Sequence, residues 1–368
     1  MSLSVGIVGL PNVGKSTLFN SLSSKQAEAA NYAFCTIEPN VGVVPVPDAR
    51  FDALVELVEP KKSVAATVDF VDIAGLVRGA SKGEGKGNAF LHNVRDCDAI
   101  AHVVRCFVDD NVLHVDNRVD PLADIETIET ELVLKDLESV QKRHDRSKRA
   151  ARGGNRVETA AVAFCEKLIT LLDGGGLASS LDPEGLTDND RNLLKELALI
   201  TSKPLFYVCN VSEEQLGDDA DPLVAQVRER AAKSGAPVVV ISAKIEAEIM
   251  QLPDEERADY LEAVGLTEPG LNQVIATGYR MLDMITYFTA GKIEVRAWTI
   301  QRGTKAPQAA GKIHTDFERG FIKAEVTWWE DRIALGTEAA VKAAGKMGIE
   351  GKEYVVRDGD VMHFRFNV

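Results

Sequence analysis

Six short runs of the chain are apolar at nearly every position: Ser4–Val8, 41–46, 66–72, 99–106, Leu205–Asn210 and 238–242. Runs apolar on both faces are what parallel strands look like when helices cover both surfaces of their sheet. Their alternation with helical patterns predicts an α/β domain built on a doubly wound sheet. Between residues 117 and 200 the apolar spacing changes to threes and fours, with Val133, Leu137 and Val140 on one stripe and Ala161, Phe164, Leu168 and Leu171 on another. Gly153 and Gly154 lie between the stripes. Two antiparallel helices are expected there, each about 30 Å long at ~1.5 Å per residue, forming a coiled-coil hairpin inserted into the sheet domain. Thr187 and Asp190 have the spacing of a capping pair for a third helix leading back to the sheet. After Gly278 the texture shifts to strand patterns at 293–298, 324–328 and 361–366 and an Ala-rich helix at 338–347. These need a sheet of their own. The expected division is 1–117 with 200–280 for the first domain, 118–199 for the helical insertion, and 281–368 for a small C-terminal α+β domain.

Composition narrows the class. Hydrophobic residues make up 45% and charged residues 27%, and no apolar run reaches the ~18 residues of a membrane span. The start, through Ser16, carries no basic leader and runs directly into a glycine loop, so a cytoplasmic protein is expected. Cys35, Cys97, Cys106, Cys165 and Cys209 are scattered without metal-site spacing, which reads as reduced buried thiols. A net charge of −14 argues against a protein that coats nucleic acid over its whole surface, and DNA is not expected as a partner.

The chemistry begins at Gly9-Leu10-Pro11-Asn12-Val13-Gly14-Lys15-Ser16, a complete G-x-x-x-x-G-K-[ST] phosphate loop between a strand and a helix at 17–22. Gly9 and Gly14 permit the tight backbone turn that brings N–H groups against phosphate oxygens. The helix N-terminus adds its positive dipole end. Asn12, Val13, Gly14, Lys15, Ser16 and Thr17 are the expected phosphate-binding set. Lys15 can reach the β- and γ-phosphates as a catalytic cation, and the Ser16 hydroxyl is placed to ligate Mg²⁺. Asp72-Ile73-Ala74-Gly75 closes the strand at 66–71 in a D-x-x-G pattern. Alone this pattern is a common turn; downstream of a phosphate loop, Asp72 is expected to hold Mg²⁺ through water and the Gly75 N–H to meet the γ-phosphate.

The base-reading segment departs from the guanine-specific N-K-x-D. The end of the strand Leu205–Asn210 continues as Asn210-Val211-Ser212-Glu213, with no lysine to lie along the base and a carboxylate one methylene longer. Adenine offers an acceptor at N1 where guanine offers a donor, so a carboxylate aimed there is repelled. Main-chain groups around Val211 are expected to pair with adenine instead, which predicts ATP over GTP by ~1–3 kcal/mol. Ser242-Ala243-Lys244 follows the next strand as the loop backing the base.

These motifs, together with the Asn31–Asn40 segment carrying Thr36 and with Asp72-Ile73-Ala74-Gly75-Leu76, resemble the YchF family of Obg-like ATPases over essentially the whole chain. The resemblance implies a Mg²⁺-dependent ATPase associating with ribosomes, particularly the large subunit, and a C-terminal domain similar to the TGS module. It also implies Ser16 and Thr36 as metal ligands and the main chain of Val211 near the base. Leu76 stands where Ras-like enzymes place a water-orienting glutamine, so another group must hold the water; His114, in the loop after the strand at 99–106, is the candidate catalytic residue.

Lys142, Arg143, Arg146, Lys148, Arg149, Arg152 and Arg156 cluster at the hairpin tip of an otherwise acidic chain, which suits ribosomal RNA. Lys292, Arg296, Arg302, Lys305 and Lys312 around Trp298 offer a second RNA-facing surface. Two alternatives stand beside the ATPase: a GTPase switch, and an RNA-binding module whose nucleotide only stabilises one shape. A metabolic kinase is disfavoured by the switch-like Thr36 and Asp72–Gly75 elements.

Overall fold

The computed structural model describes residues 3–28, 40–73, 86–113, 118–218 and 220–367. Among them the contacts form two compact units, one of residues 3–25, 40–42, 69–73, 86–113, 118–218 and 220–278, the other of 26–28, 43–68 and 279–367. The segment 43–68, expected in the first domain, thus groups with the C-terminal residues. The helical segment at 118–199 groups with the α/β unit.

The first sheet runs Val41–Pro45, Thr67–Asp72, Ser4–Val8, Ala99–Arg105, Leu205–Asn210 and Val238–Ile241. Ser4–Val8 pairs in parallel with both Thr67–Asp72 and Ala99–Arg105, and the parallel pairing continues through Leu205–Asn210 to Val238–Ile241. All seven residues of Ala99–Arg105 are buried, which accounts for a run with no polar face. Because parallel strands end together, the phosphate loop after Val8, the aspartate closing Thr67–Asp72, the loop after Arg105 and the base segment after Asn210 emerge at one edge.

The helical insertion consists of Pro121–Ala151 and Arg156–Asp173. With 31 and 18 residues they extend about 46 and 27 Å at ~1.5 Å per residue, so the first helix is longer than the expected 30 Å. Asp120 and Pro121 start the first helix, and the Asn155 side chain caps the second by accepting from the Val157 and Glu158 N–H groups. The second stripe runs Ala161, Phe164, Cys165, Leu168 and Leu172; Leu172 rather than Leu171 continues it, as the i, i+4 step from Leu168 requires. Thr187 and Asp190 form a reciprocal capping box at the start of Asp188–Leu197. Buried Asp136 then accepts from the Ile200 N–H at 2.9 Å and from the Thr201 N–H and hydroxyl at 2.7 Å each, tying the long helix to the chain's return.

The second unit carries a sheet ordered Met347–Glu350, Phe321–Trp328, Asp360–Phe366, Met284–Ala290, Glu294–Gln301 and Lys62–Val64. Its core packs Tyr287, Ile300, Ala309, Phe321, Val326 and Phe364 together. The expected helix at 338–347 stops at Ala343, because Gly345 turns at φ 68° and lets Met347–Glu350 become a strand.

Candidate nucleotide site

The phosphate loop has the backbone its glycines allow. Gly9 and Gly14 sit at φ 154° and 99°, and a Cβ on Gly14 would stand 2.3 Å from Asn210 Nδ2. Asn12 is also left-handed, at φ 62°, and its Nδ2 donates to the Leu113 carbonyl at 3.0 Å. Ser16 and Thr17 are exposed at the start of the helix Lys15–Glu28, where unpaired N–H groups gather. Lys15 is 6% exposed and donates to the Leu10 carbonyl at 2.6 Å. Burial lowers its pKa to about 8, partly offset by Asp72. Burial raises the Asp72 carboxyl, with Lys15 opposing. Asp72 Oδ1 is buried without a hydrogen-bond partner among the described residues, an acceptor that suits a hydrated cation beside the phosphate loop. The neighbouring His102, fully buried and in register with Val8, has its pKa lowered to about 3 by burial and then by Lys15.

Asn210 ties the Gly9–Ser16 loop to the segment Ser242–Lys244. Its Nδ2 donates to the Val13 carbonyl at 2.9 Å and its Oδ1 accepts from the Ala243 N–H at 2.9 Å. Ser242 and Ala243 are buried, whereas the Lys244 side chain is 73% exposed. Of the main-chain groups around Val211 expected to pair with adenine, two N–H donors are already engaged: the Val211 N–H donates to the Ile241 carbonyl at 2.9 Å, and the Ser212 N–H donates to Gln215 Oε1 at 2.9 Å. Strand-end pairing and a local cap consume both donors. Thr36, Gly75, Leu76 and His114 lie outside the described residues.

The basic clusters divide. Arg143 bonds Glu158 and Glu196, Arg146 pairs with Glu196, and Lys142 pairs with Glu138, so these three cations brace the helices. Lys148, Arg149, Arg152 and Arg156 are exposed and have no ion-pair partner among the described residues. In the second basic group Lys292 donates to the Val58 carbonyl, Arg302 and Lys305 form surface ion pairs with Asp283 and Glu353, and Lys312 is exposed. Arg296 lies 4.1 Å from the Trp298 ring centroid, and Trp298 stacks on core Tyr287. Sequence reasoning also missed Arg105, a buried cation at the end of its strand. Its run of apolar neighbours makes it visible in sequence as an isolated charge in Val103-Val104-Arg105-Cys106-Phe107. The four described cysteines are free and buried, and no described helix is long and apolar enough to cross a membrane.

Residues 4–143 match the family described as a 50S ribosome-binding GTPase, and residues 284–367 match the YchF GTPase C-terminal family, described as a protein of unknown function. Proteins named "Ribosome-binding ATPase YchF" from Haemophilus influenzae and Bacillus subtilis are each 53% identical to this chain, with all of both chains covered. A solved structure titled "Structure of the Schizosaccharomyces pombe YchF GTPase" matches with a TM-score of 0.89 at 38% identity, over 99% of this chain and 98% of that one. The phosphate loop, the bridging asparagine and this full-length similarity lead to one conclusion: the chain belongs to the YchF family.

Proposed function

We propose that the chain is a Mg²⁺-dependent ATPase of the cytoplasm that binds ribosomes through the large subunit and acts as a nucleotide-dependent regulator. The observation that carries the nucleotide reading is the coupling of a glycine-bounded anion cradle to a buried Lys15 and to a buried Asp72 oxygen that has no partner among the described residues. Loop N–H groups and Lys15 would bind and orient the triphosphate and offset the charge that develops on its oxygens. Ser16 and Asp72, with Thr36, would hold Mg²⁺, which when bound neutralises phosphate charge. The Gly75 N–H would meet the γ-phosphate and His114 would orient water, since Leu76 has no hydrogen-bonding group. His114→Ala is expected to slow single-turnover hydrolysis roughly 10²-fold or more. A parental rate excludes that role.

The ATP preference is supported by what stands in the guanine-reading positions. Val211 cannot act as the missing lysine, and Glu213 opens an exposed turn, Glu213–Gln215. With the Val211 and Ser212 N–H groups engaged, adenine recognition falls to other groups at this corner. The relatives' names divide between ATPase and GTPase, so the base choice needs its own measurement. Fluorescent ATP is expected to bind at least about fivefold tighter than fluorescent GTP, equivalent to ~1 kcal/mol. A tenfold GTP preference sinks the reading and makes the protein a GTPase switch. The ribosome reading rests on the four unpaired cations at the hairpin tip, joined by the relatives' printed names and the 50S description. The C-terminal unit is read as the TGS-like module that the resemblance implies.

A further inference from the structure

Arg105 ends the strand Ala99–Arg105, is 2% exposed, and is the bulkiest fully buried side chain among the described residues. A buried cation is ordinarily met by a carboxylate, because desolvating it without compensation is costly. Arg105 is met instead by three main-chain carbonyls of a single loop. Its Nε donates to Phe107 at 3.1 Å, Nη1 to Val112 at 2.9 Å and Nη2 to Asp109 at 3.1 Å, and the guanidinium lies 4.6 Å from the Phe107 ring centroid. The planar fork of five donors suits such convergent acceptors in a way a lysine does not. The loop is braced from outside as well, since Asp109 Oδ1 accepts from the Asn111 N–H at 2.9 Å. One residue past Val112, the Leu113 carbonyl accepts from Asn12 of the phosphate loop.

We infer that Arg105 is a positioning residue for hydrolysis. It holds the loop 107–113 in the shape that presents the Leu113 carbonyl to Asn12, and through Asn12 it sets the phosphate loop. Asn12 adopts a left-handed backbone, which asparagine tolerates better than most non-glycine residues, and the Leu113 carbonyl is the acceptor that restrains its side chain. Loosening this clasp leaves the loop N–H groups and Lys15 in place to bind phosphate. It widens the spread of orientations in which the γ-phosphate is held, and reaction rate is more sensitive to that spread than affinity is. The inference rests on Gly9–Ser16 being the nucleotide site; it does not depend on His114.

The test uses the full-length protein, with single-turnover ATP hydrolysis and affinity for a fluorescent ATP analogue as readouts. Arg105→Lys keeps the charge but cannot span three carbonyls, and Arg105→Met removes both. Each is expected to slow hydrolysis about tenfold or more while leaving affinity within roughly threefold. Combining Arg105→Lys with Asn12→Ala is expected to be no slower than the slower single variant, because both cut the same clasp. Asp109→Ala loosens the loop from its exposed side without opening a buried gap, and is expected to slow hydrolysis roughly two- to fivefold. It decides the question by itself if the Arg105 variants do not fold. A parental rate in Arg105→Lys, or in Asp109→Ala where Arg105 variants do not fold, overturns the inference, as do losses that multiply in the double variant or a loss confined to affinity. Failure of the nucleotide-site reading would look different: the parental protein would not bind the analogue.

Discussion

Asn210 shows how little room a phosphate loop leaves for change. One amide fills the space a side chain at Gly14 would need, donates to Val13 and accepts from Ala243, so its two polar atoms hold two loops. Asn210→Ala leaves a buried carbonyl and a buried N–H unmatched, and about 1–3 kcal/mol of stability should be lost in denaturant unfolding. ATP affinity should fall with it, at least about tenfold, because the loop N–H groups lose their frame. An Asn210→Ala protein with parental affinity would show that the loop holds its shape unaided. Gly14→Ala should be worse, combining a left-handed φ with the collision against Nδ2. The requirement for glycine at positions 9 and 14 was legible from the motif's spacing. The engagement of the Val211 and Ser212 N–H groups was not, because the partners, Ile241 and Gln215, are chosen by strand register and by a local cap.

At the scale of elements, local chemistry and long-range anchoring separate cleanly in the helical insertion. The capping box at Thr187 was visible as a spacing of three residues, and it depends on nothing distant. Thr187→Ala should therefore cost about 1 kcal/mol. Asp136 looks in sequence like one more acid on a charged helix, yet it is fully buried and accepts from three donors beyond the hairpin. Asp136→Ala strands those donors and should cost roughly 2–4 kcal/mol, well above the cap. Equal losses for the two variants in urea titrations would overturn this ranking. Helix ends followed the same division. Asn155 and Gly345 act through their own backbone neighbours, whereas Pro121–Ala151 packs along Arg156–Asp173 and against the distant helix Pro222–Ala232.

The whole molecule carries a charge of −14, so any contact with ribosomal RNA must be local. In sequence, seven cations at the hairpin tip form one group. Folding engages Lys142, Arg143 and Arg146 with Glu138, Glu158 and Glu196, and leaves Lys148, Arg149, Arg152 and Arg156 for a polyanion. Charge reversal at Lys148, Arg149 and Arg152 should weaken ribosome co-sedimentation and flatten its salt dependence, by about 0.7–0.9 in log–log slope for each phosphate that is no longer neutralised. Reversal at Arg143 should instead lower the unfolding midpoint. Unchanged pelleting across a salt series in the first variant would rule out the tip. The sequence by itself determined the phosphate loop, the strands of the parallel sheet, the helical hairpin and the Thr187 capping box after it, since each is written in neighbours a few residues apart. Only the tertiary structure decided which cations remain free, where segment 43–68 belongs, and that a buried arginine winds the loop beside Asn12. Those outcomes depend on which distant groups meet once the chain is packed, and a one-dimensional pattern does not encode who arrives as partner.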